Sequence, residues 1–233
     1  MAKTYLEIVN IVLQDANEVP VTQSAFGNAR GLQAFVKEAV NRSLMDIVNV
    51  GTQWEWLKDG TVQAPRSVTT EADTAFYNFK TLSAGEDPFV SVDFDTFFIT
   101  DGANLHQPLS SITYDEWNNT YRSRDEQDNA TATPYYLIMT GEKNVFGLSP
   151  VPDKAYTINF HAWTHSGTFS AYDDGLPFPD QFYTVLVDRA RYYLWDFKEN
   201  EAKAAKARNS FNSGLKRMQQ KLAPMQNSRM RVR

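Results

Sequence analysis

Residues 179–197 read PDQFYTVLVDRARYYLWDF, and this stretch decides the fold because helical period returns in it after a long interval without one. Phe182, Val185, Leu186, Ala190, Tyr193, Leu194 and Phe197 recur at helical spacing as one apolar stripe. Pro179 and Asp180 supply the start signal, a proline and an acid in the first turn. After Glu199-Asn200 a basic helix is expected, with Ala204, Ala207, Phe211, Leu215, Met218 and Leu222 at successive intervals of 3, 4, 4, 3 and 4. Such heptad-like spacing needs a partner helix to cover it. Pro224 ends that helix, and residues 225–233 carry no periodicity.

Helical period also opens the sequence. Over residues 3–18, Leu6, Val9, Leu13 and Ala16 are expected on one face, flanked by Tyr5, Ile8 and Val12. A connection with Ser, Gly and Asn spans Pro20 to Gly31. A second helix is then expected from Leu32 to Val50 through Leu32, Phe35, Val36, Ala39, Val40, Leu44 and Ile47, with Gly51 as its stop. Two amphipathic helices joined by a short loop favour antiparallel packing.

Between these ends the period changes. Short runs at Phe89–Val92, Phe97–Thr100, Tyr135–Thr140, Val145–Leu148 and Ala155–Trp163 are broken by Gly, Pro and Asp. Tyr135–Thr140 and Val145–Leu148, joined by Gly-Glu-Lys-Asn, predict a hairpin. Tyr156, Ile158 and Phe160 alternate with polar neighbours as a third strand, after a turn at Pro150–Asp153. One short helix near Tyr114–Tyr121 and a mobile polar loop over Ser123–Thr133 complete the segment. The expected class is therefore α+β, a helical bundle made by N- and C-terminal helices with an inserted antiparallel β-domain and an extended C-terminal tail. The spans are 1–51 for the N-terminal helical hairpin, 52–174 for the β-domain, 175–224 for the C-terminal helices and 225–233 for the tail.

Composition narrows the functional classes. The 233 residues hold no cysteine, which excludes disulfides and thiolate zinc sites and fits a reducing cytosol. Glu7 and Asp15 interrupt the N-terminal apolar run, so neither a secretory signal nor a membrane span is expected. Charge is unevenly placed. Residues 201–233 carry nine cations against Glu201 alone, a net +8; the remaining 200 residues carry 14 cations against 27 acids, a net −13.

Candidates for chemistry are few. His161 and His165 share a strand face but lie about 13 Å apart at ~3.3 Å per residue, too far for one metal ion, and read as partly exposed strand histidines. His106 stands alone. Asp93 and Asp95, the group Asp125, Glu126 and Asp128, and the pair Asp173 and Asp174 read as solvated loop charges, with no calcium-loop pattern among them. No phosphate-cradling glycine loop or nucleophile elbow occurs. No enzymatic activity, metal or cofactor is expected. The basic C-terminal segment could meet nucleic acid through phosphates, though Phe211 is its one aromatic residue. The terminal Arg229-Met230-Arg231-Val232-Arg233 suits either a segment laid into an acidic groove of a partner or an inert tail.

The order of elements, with Tyr5-Leu-Glu-Ile-Val-Asn-Ile-Val-Leu13, Ala29-Arg-Gly31, Ala39-Val-Asn-Arg42, Trp54-Glu-Trp56-Leu57, Pro134-Tyr-Tyr136, Phe146 to Asp153, Tyr156-Thr-Ile-Asn-Phe160 and Pro177-Phe-Pro179, resembles the head-to-tail adaptor proteins of tailed bacteriophages. That class includes the tail tubular protein A of short-tailed phages. The resemblance implies a homo-oligomeric ring, expected to be twelve-fold, at the head–tail junction of a virion and made in the host cytoplasm. It implies the portal protein and a tail nozzle or other tail proteins as partners, and passage of genomic DNA without sequence-specific binding. By the same resemblance Met225, Arg229, Met230, Arg231, Val232 and Arg233 would dock on the portal. The helix carrying Phe211, Leu215, Met218 and Leu222 would pack on the portal or on a neighbouring subunit. The alternative reading is a tail or baseplate protein whose β-domain binds carbohydrate or protein.

Overall fold

The computed structural model describes residues 3–50, 54–59, 66–79, 89–102, 106–127, 131–142, 144–164 and 167–222. The chain divides into two compact units. One joins Met1–Trp56 to Ser166–Arg233 and the other is Leu57–His165. The class is α+β, with helices gathered in the first unit and sheets in the second.

In the helical unit, α1 (Tyr5–Asp15) begins at a capping box. Thr4 Oγ1 accepts the Glu7 N–H while the Glu7 carboxylate accepts the Thr4 N–H. Its buried stripe is Tyr5, Ile8, Val9, Val12 and Leu13, rotated from the face that Leu6 and Ala16 would lead; those two are half-buried. Tyr5 sets the rotation. Its ring stacks on Phe169 at 5.0 Å and meets the edge of Phe26 at 5.0 Å, and its hydroxyl donates to the Lys37 carbonyl at 2.8 Å. Helix α2 (Leu32–Val48) follows Gly31, whose φ of 55° is one that glycine adopts without steric cost. It buries Val36, Ala39, Val40, Ser43, Leu44 and Ile47. Trp54 is buried in the same unit and its indole N–H reaches the Ile47 carbonyl at 3.0 Å.

The stretch at 179–197 forms a 3₁₀ turn, Asp180–Phe182, and then a helix at Tyr183–Phe197. The last helix of the unit spans Glu201–Leu222. With the short helix of the sheet unit, α3 (Tyr114–Thr120), these two are α4 and α5 in chain order. Helix α4 packs against α1, α2 and α5, and accordingly buries Val187 as well as Val185, Leu186, Ala190 and Leu194. Phe197, placed on the apolar stripe by periodicity, is instead 60% exposed. Helix α5 buries Ala204, Ala207, Phe211, Gly214 and Met218. Gly214 takes the place expected for Leu215, because α5 lies so close to α4 that an added Cβ would stand 3.0 Å from Val185 Cγ2.

The second unit holds two sheets around a shared core, with a smaller apolar cluster of Ile112, Trp117 and Ile138 besides. In the first, β1 (Lys58–Asp59) and β2 (Arg66–Thr69) both pair with β9 (Thr157–Trp163), which pairs with β4 (Ser91–Thr100) and through it with β5 (His106–Pro108). In the second, the order is β3 (Phe76–Asn78), β8 (Val145–Ser149), β7 (Tyr136–Met139) and β6 (Ser110–Thr113). The expected hairpin is β7–β8, with Leu137 opposite Leu148. The third strand, β9, leaves that hairpin for the other sheet, its Ile158 facing Val68 and Ile99 across the ladder. Among the described residues the named strands pair antiparallel except β6–β7, which is parallel, and an isolated bridge between Thr131 and Val151 is parallel too. Phe79, Phe97, Phe146 and Phe160 fill the core from both sheets, with centroids 4.8 Å apart for Phe97–Phe160 and 4.7 Å for Phe79–Phe146.

The polar stretch after α3 departs from expectation. Within the loop expected over Ser123–Thr133, Ser123–Gln127 forms a π-helical turn, and residues 128–130 lie outside the described residues. Asp125, read as a solvated charge, is 4% exposed. It accepts the Trp117 indole N–H at 2.9 Å and the Arg124 guanidinium at 2.8 Å, and Arg124 also reaches Ser149 Oγ and Tyr135 Oη at 2.9 Å each. A buried carboxylate needs these donors, and in a sequence they are scattered. Trp117→Phe should therefore cost about 1–3 kcal/mol by leaving one Asp125 oxygen unsatisfied. Urea unfolding should read this as a lower midpoint with an unchanged slope.

Candidate functional site

The residues weighed for chemistry are spread through the fold, and most have a local task. His106 is exposed on β5 with its ring against Phe98. His161 lies opposite Asp93 across the β4–β9 ladder, its N–H donates to Thr96 Oγ1 at 3.0 Å, and its Nδ1 is buried without a hydrogen-bond partner. His165 lies outside the described residues. Asp93 and Asp95 stand at the irregularity between Asp93 and Phe98 in β4, where Asp93 Oδ1 accepts the Asp95 N–H. Glu126 pairs with Arg122 at 2.6 Å, and Asp128 is outside the described residues. Among the described residues no group of three His, Asp or Glu is placed to hold a metal ion, and no described helix is long and apolar enough to cross a membrane.

Asp174 closes a turn that anchors α1. It accepts the N–H groups of Ser170 at 2.6 Å and Ala171 at 2.8 Å, and the Ser170 hydroxyl. Its carbonyl takes the first N–H of α1, at Tyr5. Those donors hold the Asp174 carboxyl below its ordinary pKa, the Ser170 N–H first.

The densest polar constellations of the helical unit lie on and just past α4, where two arginines and a lysine tie it to its neighbours. Arg189 donates to Asp46 of α2 at 2.6 Å, Tyr193 donates to the same oxygen at 2.7 Å, and the guanidinium lies 5.1 Å from the centre of the Phe211 ring on α5. Burial alone would lower the Arg189 pKa, and the Asp46 carboxylate outweighs it to hold the group above its ordinary value. Burial, then Asp46, pushes the Tyr193 phenol up. Arg191 bridges Asp15 of α1 and Asp188 on its own helix. Lys198, just past α4, pairs with Glu18 at 2.8 Å.

Helix α5 differs. Lys203, Lys206, Arg208, Lys216, Arg217 and Lys221 form no ion pair among the described residues. Lys203 rests over the Trp195 ring at 4.0 Å. A recess of about 360 Å³, lined by Asp15, Asp188, Arg191, Trp195, Lys203 and Lys206 among others, runs beside them. Of the helix residues singled out from spacing, Phe211 and Met218 are buried, while Leu215 and Leu222 are half-buried. Met225, Arg229, Met230, Arg231, Val232 and Arg233 lie outside the described residues. Sequence reading missed the Arg189–Asp46 and Arg191–Asp15 ties. Their partners are 143 and 176 residues apart, and no local pattern marks such pairs.

The family model described as SU10 adaptor protein, a phage adaptor-type family, matches residues 3–233. No curated protein matches the chain.

Asp174→Asn should destabilise the protein at neutral pH, and the deficit should shrink in acid. A depressed folded-state pKa adds stability above the unfolded carboxyl pKa, and that stability is lost as pH falls through the folded value. Denaturant unfolding of both proteins at neutral pH and near pH 3 checks the sign.

Proposed function

The chain belongs to the SU10 adaptor protein family, and on that premise we propose that it is a structural subunit of a ring linking the capsid portal to the tail of a phage particle. The observation that carries this reading is the family match over residues 3–233. The ring is proposed to be twelve-fold and to let the genome pass. In this reading helices from both ends of the chain form a bundle that builds the ring, the sheet unit faces tail proteins, and no residue is given a catalytic role. A sheet unit rich in acids, 15 against seven cations within residues 57–165, would repel DNA phosphates rather than hold them, as a conduit requires.

Residues 225–233, with Met225, Arg229, Met230, Arg231, Val232 and Arg233, are the proposed portal-docking segment. Three arginines and no acid in nine residues give them the charge to seat in an acidic groove. Phe211 and Met218 supply the packing that holds α5 to α4. Leu215 and Leu222, half-buried within the chain, have apolar surface left for the portal or a neighbouring subunit.

Removing residues 225–233 should leave a folded protein that no longer binds portal, with full-length chain binding under the same conditions. Negative-stain images of full-length chain mixed with portal should show rings. Undiminished portal binding by the truncated chain would sink the tail assignment, and binding confined to residues 57–165 would favour the tail or baseplate reading.

A further inference from the structure

Two exposed features of the helical unit complement one another and lie on different sides of α4. The first is the α4–α5 corner. There Phe197 is 60% exposed, supported from behind by the Phe35 ring at 4.4 Å. It is flanked by exposed Asp196 and Glu199, neither in an ion pair among the described residues. The corner holds its shape by backbone means. Glu199 takes a φ of 53°, the Glu199 N–H bonds the Asp196 carbonyl, and the Asn200 side chain caps α5 through the Lys203 N–H.

The second feature is the recess of about 360 Å³ between α1 and α5, floored by α4. Arg191 engages both of its carboxylates, Asp15 and Asp188, and with Lys203 and Lys206 the lining carries three cations against two acids, a net positive charge. Trp195 adds an aromatic surface to the same lining, half-buried and overlain by Lys203. An acidic corner that presents a ring thus faces away from a cationic recess floored by a ring. Trp195 and Phe197 are two residues apart on one helix, about 200° around its axis at 3.6 residues per turn, which points them to opposite sides.

We propose that the recess of one copy receives the Phe197 corner of a second copy, Asp196 and Glu199 pairing with Lys203 and Lys206 across the contact. The occupant is a second copy because the complementary charge and the exposed ring belong to this chain. A DNA duplex is too wide for a recess of about 360 Å³ that also holds two carboxylates. The contact joins unlike patches, so it is heterologous and propagates from copy to copy until rotation closes it into a ring. The inference rests on the ring reading above and names the surfaces that make the ring.

The absence of native cysteine allows a direct test. Full-length chain carrying both Glu201→Cys, at the corner beside an intact Phe197, and Ser210→Cys, in the recess, treated with a short bis-maleimide with and without portal, should give a ladder of trimers and larger species. Neither single variant should do so, because each places its thiols on one side of α4 only. Lys203→Glu with Lys206→Glu in that background should abolish the ladder. Adding Asp196→Lys with Glu199→Lys to the same chain should restore it, which guards against loss through misfolding. Rings seen with portal but no ladder would overturn the contact and leave the ring reading standing. A ladder indifferent to the reversals, or cross-linking that stops at dimers, would overturn it too, and absence of both rings and ladder would remove both readings.

Discussion

Helix α4 carries Val185, Leu186, Val187, Ala190 and Leu194 buried together, too wide an apolar surface for one neighbour to cover. It stays out of water only when α1 and α2 from one end of the chain and α5 from the other close around it. That requirement brings residue 4 against residue 175 and the first N–H of α1 against Asp174. At roughly 25 cal/mol per Å² of apolar area, burial of several such side chains outweighs any single polar contact in the unit.

The cations of α4 refine what burial begins. Arg189 and Arg191 are each partly buried and each paired, one toward α2 and one toward α1. Losing a partner there would leave a desolvated charge, so the pairs fix which neighbour lies on which side more than they add stability. The cations of α5 are exposed and form no ion pair among the described residues. The difference separates charges that build the fold from charges available to other molecules, and the docking contact proposed here uses only the second kind.

The sheet unit follows a separate logic. Its core is aromatic, drawn from both sheets, and the one deeply buried carboxylate among the described residues, Asp125, is tied by Trp117 and Arg124. Strand β9 is central because it pairs with β1, β2 and β4 at once. Burial of Ile158, Phe160 and Ala162 on alternate positions follows from that placement. Gly147 in β8 admits the Phe76 ring, which would stand 2.7 Å from any added Cβ.

Period and punctuation in the sequence by themselves determined the α+β class, the four long helices near Tyr5, Leu32, Tyr183 and Glu201, the β7–β8 hairpin and the alternation of β9. These are local properties: a spacing of three and four, or of two, carries its own geometry wherever it occurs. The adaptor family was legible too, from the order of elements and short motifs along the chain. What only the tertiary structure decided depends on distance across the chain. It rotated α1 so that Tyr5 and not Leu6 leads its buried face, and it put Gly214 where Leu215 was expected. It buried Asp125 and left Phe197 in solvent. Each outcome turns on which element arrives from far away in sequence, since a residue's burial is set by its neighbour and not by its own period.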